Sequence, residues 1–217
     1  MELKIGLITE GITDQIVIEK ILLAWTNDND LFITPLQPKE NESGNWDKVF
    51  KYCESEDFKG AFTSQFAYNF VLIQIDTDFM QREKVSEKYK IDLQNLTVTE
   101  IVEKFKTKFI ELMGEDFYAI YQQQIIFAIA VQEIECWLLP IYFDTQPQKA
   151  AKTVNCIETL NTILPQKEKG LYLHAKEASY YRTMTKHFKN RKDIEKYCLK
   201  NESFNLFIRY LEIQLTK

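Results

Sequence analysis

Apolar residues in this chain fall into two kinds of run. Residues 3–8, 31–36, 69–75 and 125–131 are short and almost continuously apolar, the pattern of strands buried on both faces of a parallel sheet. Between them the apolar positions recur at helical spacing. Ile16, Val17, Ile21, Leu22 and Trp25 predict a helix from about residue 14 to 25. Trp46, Val49, Phe50 and Cys53 predict a short second one, and Val102, Phe105, Phe109 and Leu112 a long one ending near Met113. Gly11 permits the turn into the first helix and Thr13 is a suitable N-cap for it. Thr97 with Glu100 three residues later makes a capping box for the long helix. Residues 54–67 are harder to read, although Phe58, Phe62 and Phe66 are four apart and would form a core face on a helix.

Strands that alternate with helices, with no two-residue hairpin signal between them, require crossover connections. The expectation is an α/β fold with a mainly parallel four-stranded sheet flanked by helices over residues 1–145. Residues 146–217 read as a helical extension packed on it, with helices over 150–164, 176–188 and 203–215. In such a sheet the C-terminal ends of the strands share one edge, and ligands bind there.

Composition supports a substantial core, since 45% of the 217 residues are hydrophobic and 15 are Phe. No run of 18 apolar residues and no signal-peptide pattern at the start point to a cytoplasmic protein. Cys53, Cys136, Cys156 and Cys198 form no C-x-x-C pair, and the expectation is reduced, structural thiols. With only His174 and His187 beside them, a zinc site has little support.

Charge is uneven. Residues 165–217 carry 12 Lys/Arg against 6 Asp/Glu, whereas residues 1–164 carry 15 against 26. That distribution suits an acidic metal centre beside a surface for a polyanion, and equally two solvated surfaces.

The acidic residues that matter most follow the strands. Glu10 comes after the first apolar run, and Asp76 and Asp78 after the third. Two residues apart on extended backbone, both Asp side chains point the same way. Paired hard oxygen ligands suit Mg²⁺ or Mn²⁺. Glu10 could complete the coordination, or act as general acid or base if nearby negative charge raises its pKa. Asp14, in the first turn of the helix, is either an auxiliary ligand or a residue favoured by the helix macrodipole. The bland alternative for the Asp pair is helix capping.

Glu10-Gly11-x-Thr13-Asp14 after a first strand, with Asp76-x-Asp78 after a later one, resembles the Toprim domain of topoisomerases, bacterial primases and OLD-family nucleases. The resemblance implies a small four-stranded α/β fold, Asp76 and Asp78 as Mg²⁺ ligands, and Glu10 as the acid/base residue of phosphodiester cleavage or joining. The segment from Ala130 to Glu135, with Trp137, Leu138 and Leu139, further resembles uncharacterised Toprim-like bacterial proteins of the RloB type, as does the late set Cys198, Ser203, Phe204 and Leu211. This second resemblance implies a catalytic role for Glu135 and a setting in phage defence. The chain departs from it at Pro140 and Ile141, where an acidic residue is expected. Both Glu133 and Glu135 also read as ordinary acids at a helix N-terminus.

Basic and aromatic residues interleave around Tyr180-Tyr181, Arg182, Lys186, Lys189, Arg191 and Lys192, with Lys176 before them. They are candidates for contacts to DNA or RNA, against the commoner reading of a solvated helix face. Together these readings predict a Mg²⁺-dependent nuclease. The alternative is a non-catalytic module that binds nucleic acid or a partner protein. A phosphatase using D-x-D fits poorly, because Glu10 rather than a nucleophilic Asp follows the first strand. The chain has no P-loop, so any ATPase working with it would be a separate defence partner.

Overall fold

The computed structural model describes residues 3–28, 31–82 and 84–215. Four strands, β1 (Lys4–Ile8), β2 (Phe32–Gln37), β3 (Phe70–Asp76) and β4 (Ile125–Ala130), form one sheet in the order β2-β1-β3-β4. All three pairings are parallel, with Ile5 opposite Phe70 and Asp76 opposite Ala130. The first half of the chain supplies α1 (Ile12–Thr26), α2 (Trp46–Cys53), α3 (Glu56–Thr63), α4 (Phe79–Arg82), α5 (Val98–Met113) and α6 (Glu115–Tyr121).

Alternation along the strands divides the core into two layers. Ile5, Leu7, Leu72, Ile126 and Ala128 face α1 and the C-terminal helices. Ile8, Val71, Ile73, Ile75, Phe127 and Ile129 face α2, α3 and α5, where Phe50, Phe58, Phe105 and Phe109 are fully buried. The expected capping box is present, with Thr97 and Glu100 bonded reciprocally at the start of α5. Residues 54–67 contain α3, whose Phe58 and Phe62 are buried, but Phe66 lies beyond the helix end and is 71% exposed. At α1 the N-cap is Gly11, not Thr13: the helix starts two residues earlier than expected, which places Asp14 in its first turn.

The remainder comprises α7 (Leu139–Tyr142), α8 (Pro147–Ala150), α9 (Cys156–Asn161), α10 (Leu164–Lys167), α11 (Ala178–Thr185), α12 (Arg191–Cys198) and α13 (Glu202–Leu215). The single helix expected over 150–164 is broken. Asn155 takes a left-handed conformation with φ of 53°, and a further short helix starts at Leu164 with Pro165 in its first turn. Conversely α12 was not expected; Asn190 caps it by accepting the Asp193 N–H at 3.3 Å. These helices complete the first layer rather than hang from it. Tyr181, Met184, Phe188, Phe204, Phe207 and Leu211 belong to the same core as Ile5 and Leu72.

A second correction concerns the cysteines. Cys136 and Cys156, 20 residues apart, are joined in a disulfide, whereas Cys53 and Cys198 are free and buried. Among the described residues no helix is long and apolar enough to cross a membrane.

Candidate metal centre

The connection after β1 runs outward to β2, whereas β3 pairs on the other side of β1. The exits of β1 and β3 therefore lead to opposite faces, leaving a crevice between them at the strand C-termini. Ligands of open α/β sheets bind at such a switch point. The acidic residues meet there because each follows one of these two strands or faces them.

Glu10 and Asp76 are tied together. The Asp76 N–H donates to Glu10 Oε1 at 2.8 Å, and the Glu10 N–H donates to Gln74 Oε1 at 3.3 Å. Gln74, two residues before Asp76 and on the same face of β3, also donates from Nε2 to Asp76 Oδ1 at 2.9 Å. The Ile134 N–H donates to that same Oδ1 at 3.0 Å, so the segment after β4 docks on Asp76 as well. Gln74 escaped the sequence reading, yet it is a polar residue inside an otherwise apolar strand and entirely buried. That mismatch was a usable signal.

Asp14 and Glu135 enter from the helical side, and both are buried. Among the described residues, the buried carboxylate oxygens Asp14 Oδ1 and Glu135 Oε2 have no hydrogen-bond partner. Glu135 Oε1 accepts a short bond from the Tyr181 hydroxyl. A rigid wall fixes this segment: the Trp137 indole donates to Ser203 Oγ at 2.8 Å and stacks against Phe204 and Phe207. Asp78 lies at the mouth, lining a groove of about 460 Å³ with Glu10, Asp14, Gly44, Trp46 and Lys176. Gly44 approaches so closely that a Cβ there would lie 1.9 Å from the Glu10 carbonyl oxygen.

Lys176 neutralises part of this cluster. Its Nζ is 3.3 Å from Glu135 Oε1 and 3.7 Å from Asp76 Oδ2, while its side chain remains 48% exposed. Even so, carboxylates crowded in a dry site resist ionisation. Burial and the Asp14 charge push Glu10 well up, and burial with Asp14 does the same to Asp76. Burial raises Asp14 to about 6 despite the Lys176 ammonium. The carboxylates around Lys176 hold its own pKa far above the usual lysine value, against the effect of burial.

No protein-family model, curated protein or solved structure matches this chain.

By donor chemistry the carboxylate oxygens suit a hard divalent cation, whose charge would relieve their mutual repulsion, yet among the described residues no three of Glu10, Asp14, Asp76, Asp78 and Glu135 bring ligand oxygens within 4.8 Å of one another. In the arrangement described, Lys176 stands between Asp76 and Glu135 in the cation's role. Among the described residues, the set of three potential ligand atoms lying within 4.8 Å of one another is Glu133, Cys136 and Cys156. Its two sulfurs are bonded to each other, so it offers one carboxylate while the disulfide stands. Glu133 itself accepts the Ile157 N–H at 3.2 Å.

The basic residues of the tail are dispersed. Lys176 belongs to the acidic centre. Lys186 pairs with Glu168, and Arg191 pairs with Glu195 and Glu212 while lying 4.0 Å over the Trp25 ring. Arg182 and Lys186 line a groove beside α1 with Glu19 and Lys20. Lys189 and Lys192 are exposed at the start of α12. Of the adjacent tyrosines, Tyr181 is buried against Glu135 and Tyr180 is partly exposed.

Proposed function

We propose that the chain is a Toprim-like, Mg²⁺- or Mn²⁺-dependent phosphodiesterase acting on DNA or RNA. The observation that carries this reading is a cluster of carboxylates at the strand ends: Glu10, Asp14 and Asp78 line one groove, Asp76 is bonded to Glu10, and Asp76 and Glu135 both lie against the Lys176 ammonium of that groove. Asp76 and Asp78 would hold the ion, with Glu10 and Asp14 completing its acidic surroundings. When bound, such an ion polarises a phosphoryl oxygen and makes its own water a stronger acid.

The remaining work falls to the chain. Glu10, its pKa raised by burial and by the Asp14 charge, is the first candidate to hold and pass on a proton. Glu135, anchored by the Tyr181 hydroxyl, is the second candidate for that exchange. Lys176, half-exposed at the mouth, can swing from the carboxylates toward an incoming phosphate, where a point charge stabilises developing negative charge. The sheet supplies pre-organisation, since Gln74 and the Ile134 N–H fix the Asp76 carboxylate before any ligand arrives.

One observation favours the second reading, a non-catalytic module of the same architecture. The Lys176 ammonium lies against Asp76 and Glu135 and takes up part of the charge that a cation would compensate. The two readings separate in a nicking assay on plasmid and single strands with Mg²⁺ or Mn²⁺. The phosphodiesterase reading expects metal-dependent cleavage that is lost in Glu10→Gln and Asp76→Asn variants with unchanged circular dichroism. A wild type that is inert with both ions, yet still binds nucleic acid, favours the module.

A further inference from the structure

A further groove, of about 630 Å³, lies between the turn after α10 and the exposed side of α11, within the size range of ligand sites. It is built around a buried anchor. The Leu173 side chain enters the core, and both edges of the Asn161 amide grip its backbone: Leu173 N–H to Asn161 Oδ1 at 2.7 Å, and Asn161 Nδ2 to Leu173 O at 3.0 Å. Flanking that anchor, Tyr172 and His174 are held outside. Their rings stack with centroids 5.2 Å apart and planes 28° from parallel, and Tyr172 is 49% exposed. An aromatic pair fixed in solvent by a clamped backbone does nothing for the core.

The charge around this pair is positive. Lys167 and Lys169 line the groove, are exposed, and have no carboxylate partner among the described residues. The one carboxylate in the lining, Glu168, is turned inward with its side chain 4% exposed, and is satisfied by Lys186, His187 and Tyr142. The groove also adjoins the acidic centre. Segment 174–180 walls both: Lys176 and Ala178 face the centre, whereas His174, Ser179 and Tyr180 face the groove.

We propose that this groove binds single-stranded nucleic acid, with a base stacked on the Tyr172–His174 pair and backbone phosphates on Lys167 and Lys169. The stacking face selects a strand whose bases are free, because a duplex presents no unstacked base to it. The unpaired lysines supply the sequence-independent phosphate contacts. The proposal rests on the phosphodiesterase reading in one respect, that the strand is led past Lys176 to the carboxylates. Binding itself does not require the metal.

The test is fluorescence anisotropy of labelled oligothymidine, oligouridine and a duplex control, with the full chain in EDTA so that cleavage is absent. Tyr172→Ala is expected to weaken single-strand binding about tenfold or more, and Tyr172→Trp to restore it. Lys167→Glu with Lys169→Glu should weaken binding and reduce the slope of log affinity against log salt by roughly 1–2. Lys104→Glu, exposed on α5, controls for a general effect of charge. All four positions are on the surface, and thermal melts verify that the variants fold. Failure of the wild type to bind either strand, equal binding by Tyr172→Ala, or preference for the duplex overturns the groove. Because metal is absent, strand binding without any cleavage in Mg²⁺ leaves the groove standing and removes the phosphodiesterase. Cleavage that is unaffected by Tyr172→Ala does the reverse.

Discussion

The Glu10 carboxylate accepts the Asp76 backbone N–H at 2.8 Å, joining two strand exits that are 66 residues apart in sequence. One oxygen of a candidate ligand thereby sets the position of another. Since β1 and β3 are adjacent and parallel, the contact is a product of sheet topology. Changes that disturb either exit should be felt at both.

Lys176 gives the first prediction. Lys176→Met removes the ammonium that lies near Asp76 and Glu135. Breaking a fully buried pair costs about 3–5 kcal/mol. Solvent screening of this half-exposed lysine reduces the expected loss to roughly 1–2 kcal/mol. Thermal melts in EDTA at neutral pH should show a lower melting temperature, and added Mg²⁺ should recover more stability in the variant than in the wild type. An unchanged melt would mean that Lys176 carries no compensating role.

The pH dependence follows from the raised carboxyls. Asp14 rises from 3.8 to about 6 on folding, and Glu10 and Asp76 shift the same way. A folded pKa above the unfolded one means that the native state binds the extra proton. The stability contributed is complete below the unfolded value and is lost as pH rises through the folded one. Metal-free protein should therefore lose stability between about pH 4 and 6 on account of Asp14, and Asp14→Asn should flatten that part of the profile. Parallel profiles for the two proteins would contradict the shift.

Gly44 tests the packing of the loop on Glu10. A Cβ at that position collides with the Glu10 carbonyl oxygen and comes within 3.1 Å of the Pro38 ring. Gly44→Ala should displace either the loop or the β1 exit, with a cost of about 1–3 kcal/mol as for other overpacked sites. The same variant should lose metal affinity, which calorimetry would detect. Normal stability and affinity would show that the loop yields without moving Glu10.

The disulfide is open to direct chemical assay. Thiol titration of the denatured chain should find two free cysteines before reduction and four after it. Closing a loop of this length stabilises by about 3 kcal/mol in the chain-entropy model, so reduction should lower the melting temperature. Four reactive thiols in unreduced protein would restore the reading of an all-thiol chain.

Much of the sheet was legible because its strands are nearly unbroken apolar runs, and Asp76-x-Asp78 stood out at the end of one of them. The α5 start was legible from Thr97 and Glu100 alone. The tail was read poorly because its helices are short and stabilised by tertiary contacts. Asn155 interrupts what reads as one helix over 150–164, and Asn190 caps another inside a basic run. Lys176 reads from the sequence as a candidate phosphate contact because its charge is visible, whereas its carboxylate partners, 41 and 100 residues earlier in the chain, are not. The Cys136–Cys156 pair has no spacing motif and depends on how α9 docks beside the segment after β4. Gln74 was the readable clue that went unused.

If the carboxylates at the β1 and β3 exits form a divalent-cation site, isothermal calorimetry of Mg²⁺ and Mn²⁺ will register it. Wild-type protein is set beside the Asp76→Asn/Asp78→Asn double variant, with both confirmed as folded. The account predicts saturable binding by the wild type that disappears in the variant. A folded wild type that takes up neither ion, or a variant that binds as well as the wild type, would contradict it.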